Sequence, residues 1–378
     1  MMKSEFIQQP KFKNFYSKMN IDKASEEQKT TKTWISFLGR KGGGVALLNE
    51  TESTLLRSGV EFSSLVSNQR LSINQEPIVI KTPSLGITEI WRFLTFPIQS
   101  FQLFYKNRSN KPRILVQMMP SPMDYWLDLW CKVFKIQNVR AIHDFEPHLG
   151  ERWPSRAATR ARIRNSSELL FFSKFVLDAS IQDISQNYTL CSLPNSFHSI
   201  SNSTQDFRPL LNKWDFPRIL FIGRLREYKG LNFLVDTFAA PRYANLNFLI
   251  AGEGEPPENL NSNFQLLNRW LDEKEIEFLV ENSDIVVFPY LEASQSGLIP
   301  LARQKSRIVL VSDVGGLAEQ VEGYPKSVLI RPNEDLSLKS GMEKCLELLN
   351  QDVRVDPKVV RSNYPTVGDF ILERIRHL

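Results

Sequence analysis

The chain is poor in the residues that mark several large functional classes. Its 378 residues include three cysteines, Cys131, Cys191 and Cys345, and four histidines. The cysteines show no metal-ligand spacing and read as small core residues rather than ligands or disulfide partners, which fits a reducing compartment. No apolar run reaches the ~18 residues of a membrane-spanning helix, and the N-terminus has no apolar signal core, so neither a span nor export is expected. Lys and Arg do not interleave with aromatics at nucleic-acid density, which argues against a nucleic-acid partner. The chain also lacks an Asp-x-Asp pair, a P-loop ending and an internal repeat of roughly 20–50 residues.

What is present is an ordinary globular composition, 42% hydrophobic and 24% charged. The length exceeds a single core, so two domains are expected. A net charge of +5 and a pI near 9.0 suit a face that meets phosphate groups or an anionic membrane. Residues 1–32 read as a polar, Lys-rich tail. From Thr33 onward short apolar runs alternate with amphipathic stretches. Strands are predicted at Trp34–Leu38, Glu61–Val66, Pro77–Ile80, Arg113–Met118, Val139–His143 and Leu169–Phe172. A second series follows at Arg218–Gly223, Leu246–Ala251, Phe264–Leu267, Asp284–Pro289 and Arg307–Val311. Alternation of this kind builds a parallel sheet covered on both faces. The predicted organisation is therefore α/β, with one doubly wound domain over 33–198, a polar linker over 199–217 and a second domain over 218–360. A last helix over 361–378 is placed to cross back to the first domain. The stretch Ile90–Tyr105, dense in large apolar side chains and interrupted by Pro97, is expected to be a core helix. A face dipping into a membrane interface is the alternative.

Three segments could carry chemistry. Gly39–Leu48 (GRKGGGVALL) is a Gly-rich turn opening a helix, where Gly43 and Gly44 permit close backbone approach to a ligand; a tight strand-to-helix turn is the plainer explanation. Ala141–Trp153 holds His143 and His148 beside Asp144, Glu146 and Glu151, just past a strand end. That set fits hydrogen bonding to a polyhydroxyl substrate better than a metal site, because no third ligand is specified. In the second half, Arg224 and Lys229 follow a strand end, where fixed cations could hold a diphosphate. The turn Glu292–Gly297 offers small side chains and backbone N–H groups for phosphate oxygens through Ser294, Gln295, Ser296 and Gly297, with the Glu292 carboxylate for sugar hydroxyls. An ordinary helix cap would use the same residues.

The order GRLREYKG, LIAGEGE, ENSDIVVFPYLEASQSGLIPLA and VSDVGGLAEQV resembles the nucleotide-binding half of the retaining GT-B glycosyltransferases of family 4. The first half matches more loosely through the Gly-rich turn, IHDFEPH and LPNS. The resemblance implies a GT-B fold of two Rossmann-like domains facing a cleft, and transfer of a hexosyl unit from a nucleoside-diphosphate sugar without a cofactor or metal. It gives Arg224 and Lys229 to the donor diphosphate, His143 and Glu292 to the reacting sugar, and Gly43 and Gly44 to the loop over donor phosphates or acceptor. The usual second glutamate is missing, and its position falls on Leu301, which leaves the nucleotide ribose without its customary partner. A saccharide or lipid-linked acceptor in cell-surface polysaccharide synthesis, at the cytoplasmic face of a membrane with peripheral contact, is the expected setting. A non-catalytic module binding nucleotide or glycan as a scaffold is the rival, and an epimerase or phosphorylase on the same architecture is a third possibility.

Overall fold

In the first strand, alternate side chains serve opposite layers: Ile35 and Phe37 enter one apolar cluster and Trp34 the other, all essentially without solvent exposure. Full burial of such a side chain is worth about 1.5–3 kcal/mol. Both faces of the sheet are therefore covered, as a parallel sheet requires. The structure, a computed structural model, describes residues 33–38, 44–67, 78–80, 90–149, 154–195, 208–211, 214–258, 260–360 and 363–377. The expected tail 1–32, Gly43 and most of the expected linker lie outside the described residues.

Among these residues, seven strands form the first sheet: β1 (Thr33–Phe37), β2 (Phe62–Ser67), β3 (Ile78–Ile80), β4 (Ile114–Gln117), β5 (Gln137–Ile142), β6 (Glu168–Phe171) and β7 (Asn187–Leu190), in the order β3-β2-β1-β4-β5-β6-β7. Six form the second: β8 (Arg218–Ile222), β9 (Asn247–Ala251), β10 (Phe264–Leu267), β11 (Ile285–Phe288), β12 (Ile308–Ser312) and β13 (Ser327–Ile330), in the order β10-β9-β8-β11-β12-β13. All pairings are parallel. The α/β class with two doubly wound sheets is as the sequence implies.

On one face of the first sheet lies α1 (Gly44–Arg57); α2 (Ile90–Lys106) and α3 (Asp124–Phe134) pack into the cluster on the other. Next come α4 (Arg156–Arg164) and α5 (Lys174–Ser180), which bury Ile163, Val176 and Leu177 with β6. The second sheet carries α6 (Leu231–Phe238), α7 (Glu273–Asn282), α8 (Leu298–Gln304), α9 (Leu317–Val321) and α10 (Asp335–Leu349), followed by α11 (Pro357–Val360). Finally α12 (Val367–Arg376) lies against α1 and adds Val367, Phe370, Ile371 and Ile375 to the first core. Its Arg374 pairs with Glu168 of β6 at 2.6 Å.

A buried polar network was not visible in the sequence. Arg140 on β5, with no exposure, meets Asp124 at 3.0 Å, Asp128 and the Ser166 hydroxyl, while Arg162 on α4 also reaches Asp124. Gln117 and Asn138 donate to the same Asp128 oxygen at 2.8 Å. Charges removed from water this completely are tolerable only when paired, so the network fixes α3 and α4 to the sheet.

The sequence reading omits β7 and β13. Both are four-residue edge strands with exposed or half-exposed positions, Asn187 and Tyr188 in one and Leu329 in the other. A short edge strand has neither a long apolar run nor clean alternation to announce it. All three cysteines are buried and unpaired, and burial pushes their thiols well above the ordinary range.

Candidate functional site

In an open parallel sheet, ligands collect beyond the carboxyl ends of the strands, where the direction of strand addition reverses. That reversal lies between β1 and β4 in the first sheet and between β8 and β11 in the second. Arg224 and Lys229 follow β8, and Tyr290 follows β11. The Lys229 ammonium donates to the Tyr290 hydroxyl at 3.0 Å and stands 4.9 Å from its ring centre. Tyr290 is fully buried, which raises its phenol pKa, against the pull of a Ser296 hydrogen bond and of the Arg224 charge. Lys229 is thus held on a phenol at the switch point, within electrostatic reach of Arg224, which is exposed.

The opposing sheet presents His143 at the end of β5. Its Nε2–H donates to the Met118 carbonyl, which follows β4, at 2.7 Å. Its Nδ1 accepts from the Gln295 amide at 3.1 Å. The ring stacks on Phe172 at 4.7 Å between centres. Burial lowers its pKa, outweighing Asp144 and the bond to Met118. These contacts suit a neutral imidazole with its proton on Nε2, whose other nitrogen faces the second domain. Gly44 begins α1 on the same side. A Cβ there would stand 2.7 Å from Met119 Sδ and 2.9 Å from Phe37, so close packing restricts this position.

The turn Glu292–Gly297 joins β11 to α8. Glu292 accepts the backbone N–H of Leu149 from the first domain. Ser294 hydrogen-bonds Asp144, and His148 meets the same carboxylate at 3.1 Å. Burial pushes the Asp144 pKa up, but these bonds and the neighbouring histidines pull it below the ordinary value. His148 also stacks on Tyr228 at 4.8 Å. Gln320 on α9 grips the turn from below: its amide oxygen accepts from Ser296 N at 2.8 Å and its amide nitrogen donates to Ser296 O at 3.0 Å. The Ser296 N–H is therefore already engaged. Gly315, at φ +50°, passes so close that a Cβ would sit 1.6 Å from the Ala293 carbonyl, a place only glycine can occupy.

His143, His148, Glu292, Ser294 and Gln295 thus take part in contacts across the interdomain cleft. A cavity of about 570 Å³ is lined by Phe145, His148, Arg156, Glu292, Ser294 and Gly315 among others. Arg224, Lys229 and His143 are not among the residues that line it. Three side chains enter that the sequence reading did not assign: Tyr290, Gln320 and Glu319. Glu319 accepts from the Lys174 N–H of the first domain at 3.1 Å, and burial raises its pKa despite bonds from Lys174 and Phe175. Gln320 and Glu319 sit inside the VSDVGGLAEQV motif, but residue type alone assigns them no partner. Leu301, where the second glutamate would stand, is completely buried in the second core.

Residues 216–350 match a family model described as glycosyl transferases group 1. An uncharacterised glycosyltransferase of Methanocaldococcus jannaschii is 28% identical over 144 residues, 35% of this chain and 36% of that protein. The chain therefore aligns with about a third of the length of this curated relative. A glycosyltransferase structure from Rickettsia africae superposes with a TM-score of 0.68 at 14% identity, covering 92% of this chain and 98% of the other. The Anabaena protein HepE in complex with UDP-glucose gives 0.66 at 15% identity, covering 92% and 100%. The fold is that of the GT-B glycosyltransferases.

Proposed function

We propose that the chain is a retaining glycosyltransferase that moves a hexosyl unit from a nucleoside-diphosphate sugar to a saccharide or lipid-linked acceptor hydroxyl. The observation that carries this reading is the meeting of two switch points: Lys229 held on Tyr290 within electrostatic reach of Arg224 on one side, and His143 reaching Gln295 from the other. The group 1 match over the second domain and the UDP-glucose held by HepE support a nucleotide-sugar donor.

As the glycosidic bond breaks, negative charge gathers on the departing diphosphate. Arg224 and Lys229, with N–H groups of the Ser294–Gly297 turn, would stabilise it, and such a preorganised contact is worth about 10²–10³ in rate. Because Gln320 occupies the Ser296 N–H, Gln295 and Gly297 are the better candidates for donation from that turn. His143, neutral and oriented by Met118, would bind a hydroxyl of the donor sugar through Nδ1 once Gln295 is displaced. Glu292 would bind the same sugar from the second domain. Closure of the cleft would exclude water and favour transfer over hydrolysis. Assembly of a cell-surface polysaccharide at the cytoplasmic membrane face is the setting we favour.

A thermal-shift panel of UDP, GDP, ADP and their sugar conjugates tests the reading. A ligand at 100 times its dissociation constant should stabilise by about 2.7 kcal/mol. The shift should vanish in Lys229→Ala, which should also lose transfer at least ~10²-fold while keeping its fold. Normal turnover in that variant would refute the phosphate assignment. The scaffold reading draws on one observation, the buried Leu301 in place of a ribose-binding carboxylate, and a flat panel would favour it.

A further inference from the structure

The helix α2 is apolar on both sides. Phe96, Ser100 and Phe104 face inward with almost no exposure, and Ser100 is satisfied by the Phe96 carbonyl at 2.7 Å and by the Trp130 indole at 3.0 Å. On the outer side Leu94, Ile98, Phe101 and Tyr105 recur at i, i+4, i+7 and i+11 and are 37–60% exposed. These four form a stripe about 16 Å long. Phe101 carries the stripe onto α3, with its ring 5.0 Å from Trp130 and 6.0 Å from Phe134. A helix that is apolar all round calls for a second apolar environment besides its own core.

Charge decides what that environment is. Between residues 90 and 135 the acids are Asp124 and Asp128, and both are buried against Arg140. The cations Lys106, Arg108, Lys111, Arg113, Lys132 and Lys135 are all exposed. Two of them touch the apolar face itself: Arg108 lies 4.1 Å above the Tyr105 ring, and the Lys111 amine donates to the Phe134 carbonyl at 2.6 Å. The described residues 90–135 thus present an apolar, aromatic surface with exposed cations and no exposed acid, which complements an anionic lipid surface. There the rings enter the headgroup boundary and the long cations reach the phosphates. A symmetric contact between two copies would instead press one set of cations onto the other. No helix among the described residues is long and apolar enough to cross a membrane, so this face would rest on a bilayer rather than span it.

We propose that the α2–α3 face is a docking surface for an anionic lipid bilayer. The proposal does not depend on the transferase reading, because lipid binding is measured without donor or acceptor. The test is co-sedimentation of the full chain with vesicles of phosphatidylcholine alone and of phosphatidylcholine mixed with phosphatidylglycerol. The chain should bind the anionic vesicles, and binding should weaken as salt is raised. Leu94→Glu with Ile98→Glu, two exposed positions that leave the core intact, should reduce binding by about tenfold or more with an unchanged melting temperature. A second variant, Arg108→Glu with Lys111→Glu, should lose the preference for anionic vesicles. Failure of the full chain to bind anionic vesicles at low salt would overturn the proposal. So would undiminished binding of the Leu94/Ile98 variant, which would move the contact elsewhere on the chain. A concentration-dependent dimer that this variant dissolves, without vesicle binding, would assign the face to a second copy instead.

Discussion

At the scale of single residues, one carboxyl outside the cleft departs from its ordinary behaviour. Glu50 on α1 is almost wholly buried, and one of its carboxylate oxygens has no hydrogen-bond partner. Burial, then the Asp369 charge from α12, push its pKa up to about 7 from 4.5, against a small pull from Arg57. Across that interval the folded chain keeps a proton that the unfolded chain has released. Stability attributable to Glu50 is therefore complete below pH ~4.5 and is lost as pH rises to ~7, by up to about 1.4 kcal/mol per pH unit. Glu50→Gln should abolish this slope and be the more stable protein at pH 8, measured by denaturant unfolding across pH. Parallel stability profiles for the two proteins would show that Glu50 ionises normally.

At the scale of elements, α12 shows how a short terminal helix can be held on a distant sheet. Thr366 caps it by accepting from Asp369 N at 3.1 Å, and the Asp369 carboxylate returns to Thr366 N at 3.2 Å. The preceding Pro365 carbonyl accepts from Ser192, just past β7, at 2.9 Å. Thr366→Ala should cost about 1 kcal/mol and, since α12 completes the core around α1, should expose α1 amides to faster hydrogen exchange. A loss confined to α12 amides would mean that the two helices open independently. The amphipathic pattern of this segment was legible in the sequence because its apolar positions follow the helical period. Its return to the first domain was expected from the sequence, but α1 as the helix it meets there was not, since residues more than 300 positions apart come together. In the same way α2 reads as a core helix from its composition. Only the packing separates the inward Phe96 and Phe104 from the outward Leu94 and Ile98.

At the scale of the whole molecule, the two sheets are joined by polar contacts that each take one partner from either side: His143 with Gln295, Leu149 with Glu292, Lys174 with Glu319 and Asn49 with Glu273. A hydrogen bond of this kind contributes a net ~1 kcal/mol. Gln295→Ala combined with Glu319→Ala should therefore shift the balance between closed and open cleft by roughly tenfold or more. Small-angle scattering should record an increased radius of gyration without a change in helix content. Unchanged scattering would show that these bonds do not hold the domains together.

The sequence by itself determined the α/β class, the two series of strands and the loops on which the candidate residues sit. Strand periodicity and turn chemistry are local properties, readable over windows of a few residues. It also singled out Arg224, Lys229, His143 and the Glu292–Gly297 turn, because their order along the chain is itself a pattern. The tertiary structure decided what those residues touch. His143 and Gln295 are 152 positions apart, and neither residue type specifies the other. Tyr290 meets Lys229 only because β8 and β11 are neighbours in a sheet whose order departs from chain order. The Arg140 network and the engagement of Ser296 by Gln320 have the same cause: their partners come from separate elements, and no local window contains both halves of the bond.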